Sequence, residues 1–133
     1  MCSRLIPRRR GTAALAVALI LAAFAGCGDS APVAADPART REILESTLSS
    51  WKNGEKAEAL KSASPAVLVE DPKWKRGEKL VKYEVEGDGK PSGSEQAFTV
   101  TLWFTDSKGK EVREQAVYKV GTDPIVTVFR SLF

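Results

Sequence analysis

The chain has 133 residues, enough for one domain, and carries 20 lysines and arginines against 17 acidic residues but no histidine. Because histidine is the usual proton-transfer group near neutral pH and the commonest metal ligand, its absence excludes histidine-based triads and most zinc sites. The formal net charge of +3 depends on four N-terminal arginines; without them 16 of the 20 basic groups remain against 17 acidic groups, a net charge of −1.

The first 26 residues have the order of a cleaved export signal. Four arginines within residues 1–12 precede an apolar stretch, residues 13–26, that ends in small side chains. The 14 residues of this stretch are fewer than the roughly 20 that a membrane-spanning helix needs. We therefore predict that residues 1–26 are a signal peptide and that the protein is exported, by the general or the twin-arginine pathway.

The sequence around Cys27 predicts a lipid anchor. Residues 24–27, Phe-Ala-Gly-Cys, resemble the bacterial lipobox, in which small residues precede a cysteine that is acylated and becomes the new N-terminus. Residues 27–36 are then the lipidated cysteine and a flexible tether. The anchored protein would face the periplasm or the cell surface. Cleavage after Ala25 at an A-x-A site is the alternative, and it gives a soluble secreted protein.

Cysteine usage in the mature chain follows from this anchor. Cys2 leaves with the signal, and acylation uses the thiol of Cys27. The folded domain, residues 37–133, would then contain neither a disulfide nor a thiol nucleophile, so its apolar core must stabilise it alone.

The mature domain begins with helical signals. Asp36-Pro37 is typical of an N-cap followed by proline in the first helical turn, and Asn53-Gly54 of a helix end. Between them an apolar stripe recurs at helical spacing: Ile43, Leu44, Thr47, Leu48 and Trp51. A second, shorter helix is predicted over residues 55–62, before Pro65.

After Pro65 the apolar residues alternate as in strands. Strands are predicted over residues 66–70, 80–86, 97–105, 112–120 and 125–133. Loops or tight turns are predicted over residues 71–77, 87–94, 106–109 and 121–124. This order predicts an α+β domain in which the long helix covers a curved antiparallel sheet of about four strands. Its expected core joins the helix stripe to the inward row of the strongest strand: Phe98, Val100, Leu102 and Phe104.

Two sets of residues carry a family resemblance. Residues 48–55, with Ala57 and Leu60, resemble the helical opening of nuclear-transport-factor-like domains, and the predicted shape is also similar to cystatins. Further segments resemble a group of small bacterial lipoproteins of unknown function: residues 71–83, 117–124 and 127–130. The resemblance implies a fold and an envelope location, and it implies no activity.

The resemblance to nuclear-transport-factor-like domains, whose fold some isomerases and cyclases share, implies catalytic candidates. An isomerase-type site needs a carboxylate base and a tyrosine in an apolar cavity. Tyr83 and Tyr118 lie on core-facing rows, and Glu114 is the acid in phase with the row of Tyr118. We expect structural roles for these three, and turn-capping roles for aspartates such as Asp71. The sequence predicts no cofactor and no metal site.

Aromatic and basic residues define the candidate surfaces. Trp103 falls on a threonine row away from the helix, where it could mark a homodimer, partner or carbohydrate surface or simply pack across strands. Trp51 and Trp74 are expected to pack in the core and under a lid. The basic cluster around Trp74 either contacts anionic lipid or polysaccharide or is a solvated loop: Lys73, Lys75, Arg76 and Lys79. Export and the net charge of −1 argue against nucleic acid.

Two functional hypotheses remain. The first is a non-catalytic, lipid-anchored envelope protein that binds an unknown envelope protein or ligand. The second is an isomerase- or cyclase-like enzyme, or a hydrophobic-ligand binder, that uses the cone between helix and sheet. The two hypotheses differ in whether the cavity between helix and sheet is open, with Glu114 or a tyrosine pointing into it.

Overall fold

A computed structural model describes residues 33–132 of the chain. The described elements are helix α1 (Pro37–Lys52), a 3-10 helix (Ala57–Ser62), β1 (Val67–Glu70), α2 (Pro72–Lys75), β2 (Lys79–Ser92), β3 (Glu95–Thr105), β4 (Glu111–Gly121) and β5 (Val126–Ser131). The predicted signal peptide, Cys27 and residues 28–32 of the predicted tether lie outside the described residues.

Helix α1 begins and ends where the sequence predicts. The Asp36 side chain accepts a hydrogen bond from the Ala38 amide at 3.0 Å, and Pro37 occupies the first turn. At the other end Asn53 caps the helix, and Gly54 adopts a positive φ of +86° that suits glycine. The predicted second helix is present as the 3-10 helix.

The domain starts earlier than the predicted boundary at residue 37. Ala35 is buried, its amide donates to the Ser94 carbonyl at 3.0 Å, and its carbonyl accepts from Gln96 Nε2 at 3.0 Å. These bonds join the segment before α1 to the start of β3. The predicted tether of residues 27–36 therefore ends before Ala35.

The described sheet has five strands in the order β1-β5-β4-β3-β2. Strands β2 to β5 form the predicted antiparallel meander, whereas β1 pairs in parallel with β5. The α+β class is confirmed, but the expectation of about four antiparallel strands is wrong by this additional parallel strand. The local pattern predicted residues 66–70 as a strand and could not show that its partner is the last strand.

The predicted core is confirmed. Seven side chains from α1 and the inner face of β3 are each at most 3% exposed: Leu44, Leu48, Trp51, Phe98, Val100, Leu102 and Phe104. Each buried side chain of this kind contributes about 1.5–3 kcal/mol relative to an exposed one. Together they fill the space between α1 and the middle of the sheet.

Strand β2 extends through most of the segment that the sequence predicts as a loop. It continues to Ser92, so the predicted loop over residues 87–94 is wrong for all but its last two residues. The β2–β3 register shifts between Glu86 and Lys90, where Gly87 and Gly89 have φ angles of +61° and +77°. Glycine accommodates such a bulge because it carries no Cβ, so these glycines bend the strand instead of ending it.

Gly89 also makes room for the core, which gives a testable prediction. A Cβ at Gly89 would lie 2.7 Å from Cε1 of the buried Phe98, whereas one at Gly87 would contact nothing within 4 Å. We expect Gly89→Ala to lower the free energy of unfolding by about 1–3 kcal/mol more than Gly87→Ala, since both have a positive φ and only the first clashes. Denaturant unfolding of both variants measures the difference, and equal losses would contradict the prediction.

Candidate functional site

A cluster of charged side chains lies on the inner face of the sheet beside α2. Val69 of β1 pairs with Val128 of β5, so two residues further along Asp71 lies beside Arg130. Arg130 in turn pairs with Tyr118 of β4. The strand register therefore places an acid, a base and a phenol in one row across the sheet.

Asp71 is the most connected residue of this cluster. One carboxylate oxygen accepts from the backbone amides of Lys73 and Trp74 at 2.9 and 3.3 Å, which caps the single turn of α2. The other oxygen accepts from the Tyr118 hydroxyl and lies 3.7 Å from Nη1 of Arg130. The predicted capping role is confirmed, although the predicted loop over residues 71–77 contains this helical turn. The sequence did not predict that Asp71 is buried.

The Tyr118 hydroxyl donates a hydrogen bond to the Asp71 carboxylate. Burial, followed by the nearby Asp71 carboxylate and its hydrogen bond, raises the pKa of Tyr118 well above its ordinary value. The folded state binds the hydroxyl proton more tightly than the unfolded state does, so the protonated tyrosine stabilises the fold. This contribution is complete below the ordinary tyrosine pKa and is lost as the pH rises above it. Tyr118 is only 1% exposed, so the hydroxyl serves the fold and does not face a ligand.

Arg130 neutralises the acids of the cluster. Burial alone lowers the pKa of Arg130, but Asp71, Tyr118 and Glu114 together raise it, so the guanidinium keeps its charge. Its Nη2 lies 2.7 Å from Oε1 of Glu114. Its Nη1 lies near the Asp71 carboxylate and has no hydrogen-bond partner among the described residues.

Glu114 lies on the core-facing row, as its phase in the sequence predicts, and two cations hold it there. Besides Arg130, Lys73 Nζ lies 3.4 Å from Oε2 of Glu114 and 4.8 Å from the centre of the Phe104 ring. Both cations contact this carboxylate, so Glu114 is engaged in ion pairs within the protein. This pairing supports a structural role for Glu114.

The cleft beside the cluster is electrically balanced. It has a volume of about 380 Å³, and Lys73, Arg76, Glu114 and Arg130 line it. Glu78, which is buried, pairs with Arg76 at 3.4 Å and with Lys73 at 3.9 Å. Three cations therefore face three carboxylates, counting Asp71, and the cluster offers no excess charge to a ligand.

The predicted basic cluster is mostly neutralised by acids. Lys75 Nζ lies 2.6 Å from a carboxylate oxygen of Glu70, and Lys73 and Arg76 pair with the acids described above. Of the four predicted basic residues, Lys79 alone has no ion pair in the described part of the chain. Three of the four cations are therefore already paired with acids of the domain.

The three predicted aromatic candidates differ in exposure. Trp74 is 6% exposed and stacks on Trp51 with ring centres 5.5 Å apart, so it packs in the core and offers no surface anchor. Trp103 is half-buried on the outer face, with Lys82 Nζ 4.6 Å and the Arg113 guanidinium 5.5 Å from its ring centre. Both cations belong to neighbouring strands, so Trp103 makes cross-strand contacts.

Tyr83 anchors the helix to the sheet. Its hydroxyl donates to the Glu45 carbonyl of α1 at 3.1 Å. The three catalytic candidates therefore do not converge on one cavity: Tyr83 contacts α1, whereas Tyr118 and Glu114 belong to the cluster beside α2.

Sequence reasoning missed Arg130, although the sequence contains a signal for it. Arg130 follows Val126 and Val128 at alternating positions, and on the neighbouring strand Glu114 interrupts a similar apolar row. Opposite charges on the core-facing rows of adjacent strands predict a buried ion pair.

Comparison of the chain with protein-family models, with curated proteins and with solved structures found no match. Among residues 33–132, no helix is long and apolar enough to cross a membrane. In the same range, no group of three or more acidic or cysteine side chains could hold a metal ion. The fold and the site together describe a small α+β domain with a filled interior and a balanced internal ion-pair cluster.

Proposed function

We propose that this chain is a lipid-anchored protein of the cell envelope whose α+β domain is a non-catalytic binding module. The observation that carries the proposal is the filled interior. Leu102, Phe104 and Trp51 occupy the space where an isomerase-like cone would hold its substrate. A ligand must then bind at the surface of the domain.

The contacts of the catalytic candidates support the same proposal. The hydroxyls of Tyr83 and Tyr118 both donate hydrogen bonds within the protein, and Glu114 contacts two cations. An isomerase needs a free carboxylate base near an available proton donor. Self-association through the outer sheet face around Trp103 stays a prediction.

The anchoring part of the proposal is tested by comparing the two cysteines. We expect the full-length protein to enter the detergent phase on Triton X-114 partitioning and to incorporate labelled palmitate during expression. Cys27→Ala should move most of the protein to the aqueous phase and abolish the label, because the acylated thiol is gone. Cys2→Ala is the matched control and should behave as the parent, since Cys2 lies within the predicted signal. Unchanged partitioning of Cys27→Ala would refute the anchor.

A further inference from the structure

Two helices pack at opposite edges of the sheet. Helix α1 packs mainly on β2, and the 3-10 helix packs on β1 at the other edge. Between α1 and the 3-10 helix lies a groove of about 510 Å³, here called the helix groove. Its lining is mixed: six residues are apolar, Ile43, Leu60, Ala63, Pro65, Val67 and Val126, and the other seven are charged or carry a hydroxyl. Ile43, Leu60 and Val67 are partly buried against the core, and Val126 is buried.

A second and more apolar groove lies next to the first at the β1 edge of the sheet. This edge groove has a volume of about 410 Å³, and Pro65, Val67 and Val126 line both grooves. Ala66, Leu68 and Ile125 complete its apolar walls. Ile125 is 56% exposed, which is high for so large an apolar side chain. Each volume is within the range of small-molecule sites, and the three shared residues place the two grooves side by side.

The charged residues that line the two grooves differ. Arg39, Glu42 and Glu55 line the helix groove, so acids outnumber bases there. Lys61 is the one charged residue among those that line the edge groove, and it has no ion pair in the described part of the chain. An unpaired ammonium beside an apolar groove attracts an anionic group, and the two acids repel such a group from the helix groove.

We propose that the two grooves together bind one long-chain fatty acid, with its carboxylate at Lys61 and its alkyl chain along Val67 and Val126. Apart from Lys61 and Thr122, every residue that lines the edge groove is apolar, which suits an alkyl chain beside a carboxylate. This inference rests on the proposed binding function and names its ligand class.

The test uses the full-length protein and a palmitate analogue with a diazirine in its chain. After photolysis, mass spectrometry should map the label to residues 43–68 and 122–126. We expect Ile125→Glu to reduce the labelling at least tenfold, since it places a charge in the edge groove. Val81→Glu is its matched control, because Val81 is 48% exposed on β2 and lines neither groove. It should label as the parent does.

A separate pair of variants tests whether the carboxylate of the fatty acid binds at Lys61. Lys61→Glu should reduce labelling several-fold, whereas Lys108→Glu, on an exposed turn, should not change it. Palmitate should compete with the probe better than hexadecanol, which has no carboxylate. Absent labelling, equal losses in Ile125→Glu and Val81→Glu, or competition by an apolar peptide but not by palmitate would each overturn the proposal. Thermal melting of each variant confirms its folding, and the Cys27→Ala partitioning result is independent of every outcome here.

Discussion

Replacement of Arg130 by methionine is expected to lower the free energy of unfolding by about 3–5 kcal/mol. Arg130 is buried, and its guanidinium neutralises both Asp71 and Glu114. Methionine fills much of the same volume but leaves the Asp71 carboxylate buried without its cation. Arg113→Met is the matched control, since Arg113 is exposed on the same sheet, and it should change stability by less than about 1 kcal/mol.

A double variant separates the ion pair from simple loss of packing. Asp71→Asn retains the oxygen that caps α2 and removes the buried charge. We expect Asp71→Asn combined with Arg130→Met to be less destabilising than the sum of the single changes, because no unpaired charge remains at Asp71. Urea unfolding of the parent, both single variants and the double variant measures this coupling. Strict additivity would show that the two side chains do not interact energetically.

Leu102→Asp is expected to abolish cooperative thermal unfolding altogether. Leu102 is fully buried in the middle of β3, where a carboxylate would have neither water nor a partner. The milder Leu102→Ala should cost about 2–5 kcal/mol and retain a cooperative transition at a lower Tm. Val81→Asp, on the exposed edge of β2, should leave the transition close to that of the parent. A parent-like melting curve for Leu102→Asp would contradict the core described above.

The helices and strands are predictable from the sequence where one face is buried and the opposite face is exposed to solvent. The alternation from Phe98 to Phe104 and the stripe from Leu44 to Trp51 each produce a clear periodicity, and the structure packs them together. The sequence predicts a loop around Gly87 and Gly89 because glycine is also the usual loop residue. Whether glycines end a strand or bulge it depends on the neighbouring strand, which the local sequence does not contain.

The ion-pair cluster was less predictable because it depends on register. The alternation along β4 predicts that Glu114 lies on the core-facing row. Its partners, however, come from β5 and α2, which are distant in sequence. Asp71 was predicted as a capping residue, and its second oxygen acquires Tyr118 and Arg130 only through the parallel pairing of β1 with β5. A pairing between the first and last strands has no local signature.

That pairing also decides when the sheet can be completed. Strand β1 comes early in the domain, yet its single partner among the described strands is β5, about 60 residues later along the chain. Until β5 has been synthesised, β1 lacks its partner among the described strands and Asp71 lacks the Arg130 guanidinium. Neither the pairing of β1 with β5 nor the contact between Asp71 and Arg130 can form before residues 126–131 are available.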